Sequence, residues 1–154
     1  MASSEITSAY TDGISRRTVV CGALAAAITG SAFNLTAAEA ATIPAAKGVK
    51  TLASGKVQVP FASNPTLKKS GTILIVAQSQ GVPIALVNEG GSSYKAFALI
   101  CTHAGGQLDL VGKNLVCQLH GSVFGLDGKV KISPARTPLP AVKAIVSATN
   151  VTVG

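Results

Sequence analysis

The chain has 154 residues and a formal net charge of +7, with hydrophobic residues at 47%, no Trp, Gly 16 and Pro 7. That length holds one domain with a modest core, and the turn-rich composition suits a β protein better than a helical bundle. The charge does not describe a nucleic-acid surface: ten Lys and one Arg are scattered after residue 41, the only aromatics there are Phe61, Tyr94, Phe97 and Phe124, and no nucleic-acid-binding motif occurs.

In chain order, the first feature is an address. Ser15-Arg16-Arg17-Thr18 precedes an uncharged stretch from Val19 to Ala38, and Ala38-Glu39-Ala40-Ala41 closes it. A charged region, an apolar region and an A-x-A site in that order describe an export signal. The arginine pair resembles a twin-arginine signal, although Val19 and Val20 stand where that signal often has Phe-Leu. Residues 1–41 are therefore expected to be a signal peptide or, at about 20 apolar residues, an uncleaved membrane anchor. Either places the protein in the periplasm or on the outer face of the cytoplasmic membrane. Cys21 lies inside the apolar stretch with no lipobox before it, and reads as an inert thiol.

Residues 42–56 are rich in Ala, Gly, Lys, Ser and Pro and read as a flexible linker. From Val57 to the end, short apolar runs alternate with turn signals. Strands are predicted around Val57–Phe61, Thr72–Ala77, Ile84–Val87, Tyr94–Ile100, Leu115–Cys117, Lys129–Ile132, Val142–Ser147 and Val151–Val153. Turns fall at Lys68–Gly71, Gly90–Ser92, Gly112–Asn114 and Asp127-Gly128. Strands at this spacing argue an all-β domain over residues 57–154, a small antiparallel sandwich or barrel. No run after residue 42 suits a helix of normal length.

Two boxes carry the chemistry. Cys101-Thr102-His103 and Cys117-Gln118-Leu119-His120-Gly121-Ser122 each supply one thiol and one imidazole, and they hold both histidines and two of the three cysteines of the chain. Paired Cys and His close in sequence are a metal site first. A disulfide between Cys101 and Cys117 would suit an exported protein but leave both histidines unexplained. A structural zinc site is a further alternative, although zinc spacings usually pair Cys with Cys and His with His. Each box sits at a strand-to-loop junction, so two loops converging on one end of a sandwich would assemble the site.

The sequence C-T-H-A-G-G followed by C-Q-L-H-G-S-x-F resembles the Rieske iron–sulfur family, and the likeness extends over roughly Val57 to Val153. It implies one [2Fe–2S] cluster, with Cys101 and Cys117 as thiolates on one iron and His103 and His120 as neutral imidazoles on the other. Two ferric ions, two sulfides and two thiolates sum to no net charge. An added electron then takes the core only to −1, which raises the potential above that of an all-thiolate cluster. Gly105, Gly106 and Gly121 would let backbone N–H groups approach the sulfurs. Ser122 matches a hydroxyl that the family directs at sulfur. Phe124 stands where the cytochrome bc-type proteins have a second such donor, a Tyr. Gly106 and Leu119 occupy the positions of a disulfide in those proteins. Fewer donors imply a value below the top of the roughly −150 to +300 mV Rieske span, as in Rieske-type ferredoxins. Pro134 resembles the proline loop that shields the cluster.

The function implied is a one-electron carrier rather than an enzyme in itself, serving redox proteins with acidic docking faces. With His103 and His120 committed, no mononuclear iron site remains, which argues against an oxygenase. The alternative is a membrane-anchored Rieske subunit of a quinol-oxidising or molybdenum-containing complex; a zinc-binding module is the third reading.

Overall fold

Three segments of this chain are apolar on consecutive residues, not on alternate ones, and they form three of the four strands of the middle sheet of the fold. The computed structural model describes residues 41–154. Its strands are β1 (Lys50–Thr51), β2 (Val57–Pro60), β3 (Ile73–Ser79), β4 (Val82–Gly90), β5 (Ser93–Ala98) and β6 (Leu108–Val111). They continue with β7 (Asn114–Cys117), β8 (Val123–Gly125), β9 (Val130–Ile132), β10 (Ala141–Val142), β11 (Ala144–Val146) and β12 (Asn150–Val153). One 3-10 turn, Pro65–Lys68, is the helical element among the described residues.

The strands make three antiparallel sheets, in the orders β1-β2-β12-β11, β10-β5-β4-β3 and β6-β7-β8-β9. Side chains alternate across a strand, so a sheet covered on both faces reads as a continuous apolar run. The middle sheet is such a sheet. Ile73, Ala85, Val87 and Phe97 join Leu108, Leu115 and Phe124 in one core. The alternate residues Leu74, Val76, Ile84, Leu86 and Ala96 join Val59, Phe61, Leu67, Val151 and Val153 in the other. The first of these cores also holds Cys101 and Cys117, so the chemistry is rooted in packed interior.

The fold is all-β and antiparallel, as the spacing of apolar runs indicates. Two local expectations need correction. Residues 42–56, read as a flexible linker, are laid on the domain. The Ala41 N–H donates to Leu110 O at 2.8 Å, the Ile75 N–H to Pro44 O at 2.9 Å and the Ala46 N–H to Ile75 O at 2.7 Å. Ile43 is buried in the core beside Leu108, and β1 pairs with β2. Composition hid this because one isoleucine and a few backbone bonds anchor a segment otherwise made of linker residues. The run Val142–Ser147 is also not one strand. β10 pairs with β5 and β11 with β12, so the chain changes sheet at Lys143. The short strands β6 and β8, which bracket the second box with β7, carry too few residues to show a period. The predicted signal or anchor, residues 1–41, lies outside the described residues except for Ala41. Among those described, no helix is long and apolar enough to cross a membrane.

Candidate metal centre

Both boxes fold into the same backbone turn. In the β5–β6 loop the Cys101 N–H donates to Gly106 O at 2.8 Å, and the Gly105 N–H donates to Cys101 O at 2.8 Å. In the β7–β8 loop the Cys117 N–H donates to Ser122 O at 2.9 Å, and the Gly121 N–H donates to Cys117 O at 2.9 Å. The cysteine is thus bonded to the fourth and fifth residues after it in each loop. The fourth residue takes a left-handed conformation, φ +71° at Gly105 and +74° at Gly121, which glycine adopts without steric penalty. The β6–β7 register pairs Leu108 with Cys117, which sets the second loop beside the foot of the first.

The sulfurs point inward and the imidazoles outward. Cys101 and Cys117 are 2% and 1% exposed and are free thiols, not a disulfide. His103 and His120 are exposed, with ring centroids 4.8 Å apart and planes at 89°. Burial pushes the Cys101 thiol up. The backbone N–H groups of His103 and Ala104, with the Cys117 thiol and the Ser122 hydroxyl, more than offset this and hold it below the ordinary thiol value. The site therefore gathers hydrogen-bond donors around the Cys101 sulfur.

Ser122 is fully buried, and its Oγ accepts from the Ala135 N–H at 3.0 Å. That bond occupies a lone pair and leaves the hydroxyl proton for the Cys101 sulfur. A second brace runs from the first loop, where Thr102 Oγ1 donates to Thr137 O at 2.7 Å. The segment Ser133–Thr137 is thereby tied to both loops. Pro134 lines one shallow cavity with Thr102, His103, Arg136 and Thr137. Sequence reasoning singled out Ser122 and Pro134 but missed Thr102 and the Ala135 N–H. Thr102 lies inside a quoted box, yet a hydroxyl bonded 35 residues away in sequence leaves no local signal. Phe124 is fully buried in the core beneath the site.

The donor set suits a binuclear iron cluster better than a single ion. Among the described residues no three His, Cys, Asp or Glu side chains gather around one point, as a tetrahedral zinc ion would require. Two buried thiols and two exposed, neighbouring imidazoles would instead offer each of two irons its own pair. The first loop is also bare of side chain beside the Cys117 sulfur. A Cβ on Gly106 would lie 2.8 Å from Cys117 Sγ and 2.7 Å from Leu119 Cδ1.

Comparison with known proteins agrees. A family model described as the Rieske [2Fe-2S] domain matches residues 58–143. Among solved structures the chain is similar to the plasma membrane Rieske protein PetC3 of the cyanobacterium Synechocystis PCC 6803. The two are 32% identical over 51% of this chain and 82% of that one, with a TM-score of 0.45. It is 25% identical to the ferredoxin of carbazole 1,9a-dioxygenase from Nocardioides aromaticivorans IC177, over 56% of this chain and 86% of that one, with a TM-score of 0.42. The quaternary ammonium Rieske monooxygenase CntA bound to L-carnitine shares 18% identity over 59% of this chain and 30% of that one. Its TM-score of 0.50 is a likeness of fold alone. No curated protein sequence matches the chain.

Proposed function

The chain belongs to the Rieske iron–sulfur family, whose domain binds a [2Fe–2S] cluster, and from that premise we propose that it carries single electrons between redox proteins outside the cytoplasm. Cys101 and Cys117 would hold one iron as thiolates and His103 and His120 the other as neutral imidazoles, with Ser122 as a hydroxyl donor to sulfur. The observation that carries this reading is the matched pair of turns that bury two thiols and expose two imidazoles. When bound, the cluster supplies a site for one added electron.

The protein residues tune and position that site. The two thiolates anchor it in the core beside Leu115 and Phe124. The Ser122 hydroxyl and the N–H groups of His103 and Ala104 stabilise negative charge on the Cys101 sulfur, which favours the reduced form. The two imidazoles form the surface that a partner meets, so an electron has little protein to cross there. Lysines around the domain (net basic after residue 41) suit a partner with an acidic docking face.

Export is read from the arginine pair and the A-x-A site. A cut after Ala40 would begin the chain at Ala41, whose backbone nitrogen already pairs with Leu110 O. Cofactor assembly before export also suits a route for folded proteins.

The test is purification of the exported protein, followed by visible and electron paramagnetic resonance spectra with a redox titration. A mixed-ligand [2Fe–2S] signal that titrates with one electron is expected. A colourless, iron-free protein from cells competent in cluster assembly overturns the reading. Intact mass reports the export step separately, with residues 41–154 as the expected species.

A further inference from the structure

The two loops need something to hold them together over the buried sulfurs, and the structure assigns that task to Leu119 lying against Gly106. We propose that Leu119 is a positioning residue: an apolar latch that closes the site beside Cys117 Sγ and keeps water from that sulfur. The inference rests on the cluster assignment above.

Three observations support it. Leu119 lies between the cysteine and the histidine of the second loop, yet its side chain reaches the first loop. A Cβ on Gly106 would be 2.7 Å from Leu119 Cδ1 and 3.0 Å from Leu119 Cγ, so the leucine rests on the bare α-carbon of Gly106. The same Cβ would be 2.8 Å from Cys117 Sγ, so the leucine and the sulfur flank one small space. Gly106 is buried although its neighbours Gly105 and Gln107 are exposed. Leu119 itself is 60% exposed, so it gives up the solvation advantage of a polar residue at a surface position. Among the described residues no disulfide joins the loops: Cys101 and Cys117 are free thiols.

The latch has a redox consequence. A reduced centre bears more negative charge than an oxidised one, and water stabilises charge better than a leucine side chain does. Removing the side chain therefore favours reduction and opens a path for cluster loss. A residue that served only partner docking would do neither in the isolated protein.

The experiment compares wild type, Leu119→Ala and Leu119→Met in the purified, cluster-loaded protein. Midpoint potential, exchangeable-deuteron couplings at the cluster and the time course of bleaching in air are measured. Leu119→Ala is expected to shift the midpoint positive, to add exchangeable-proton coupling and to lose its colour several-fold faster, while Leu119→Met stays near wild type. Gly106→Ala, whose new methyl would push the leucine side chain off the first loop, is expected to move the midpoint the same way. Should that variant fail to load, the Leu119 pair decides alone. An unchanged midpoint and bleaching rate in Leu119→Ala would overturn the latch. A wild type without a cluster would instead sink the ligand assignment.

Discussion

The two ligand loops share a backbone and differ in what they hang on it. Both bond the cysteine carbonyl to the N–H of a left-handed glycine four residues on, and the cysteine N–H to the carbonyl one residue further. Within that frame the histidine comes second after Cys101 and third after Cys117, and Leu119 takes the second position in the second loop. The fifth positions diverge most. Gly106 is bare because Leu119 and Cys117 Sγ fill the space a side chain would need. Ser122 is buried with its hydroxyl placed between Ala135 and the first cysteine. One turn thus serves two jobs: the first loop yields room, and the second supplies the cover and the donor. The glycine and the hydrogen-bond pair set the frame, while chemistry is distributed among the positions the frame leaves free.

The comparison can be broken at several levels. The largest effect is expected from the cysteines, which the frame treats alike. Cys101→Ser and Cys117→Ser should each abolish the cluster, read as loss of visible absorbance and bound iron. Retention of full cluster content in either would show that the loops are not equivalent anchors. Next come the imidazoles. His103→Cys or His120→Cys adds a thiolate and its charge, and should lower the midpoint toward the value near −400 mV of all-thiolate plant-type ferredoxins. An unchanged or raised midpoint in a loaded protein would count against that histidine as a ligand.

The fifth position gives a smaller, asymmetric effect. Ser122→Ala removes a donor to the Cys101 sulfur and leaves the buried Ala135 N–H without its acceptor. The midpoint should fall, and stability should drop by about 1–3 kcal/mol in denaturant unfolding. A lowered midpoint with unchanged stability would mean that Ala135 finds another acceptor. The smallest effect is at the shared glycines. Gly105→Ala and Gly121→Ala meet no close neighbour, so only the left-handed backbone opposes them. Each should cost roughly 1–2 kcal/mol, and the two costs should agree, because the two φ values do. A clear difference between them would show that the turns are held by more than their own backbone bonds.

The Cys101 shift adds a pH dependence in the protein without its cluster. Burial opposes the thiolate, but the surrounding N–H, thiol and hydroxyl donors lower the folded value below the unfolded one. The resulting stabilisation is present above the unfolded thiol value and fades as pH falls through the folded one. Unfolding of cluster-free protein followed from alkaline to neutral pH should show declining stability, and Ser122→Ala should weaken that slope.

What the sequence by itself determined is considerable. The apolar runs and turn residues specify short antiparallel strands, because period and punctuation are local properties. The two boxes name every proposed ligand, because a cysteine and a histidine two or three residues apart must share one loop. What only the tertiary structure decided depends on residues far apart in the chain. Ala41 pairs with Leu110, and the linker-like Pro44 and Ala46 pair with Ile75. Thr102 and Ser122 are braced by the segment around Pro134. Leu119 lies on Gly106, thirteen positions earlier. Neither composition nor spacing records such contacts. They arise when a middle sheet buried on both faces brings separate turns to one end, and the packing there selects which side chain covers which sulfur.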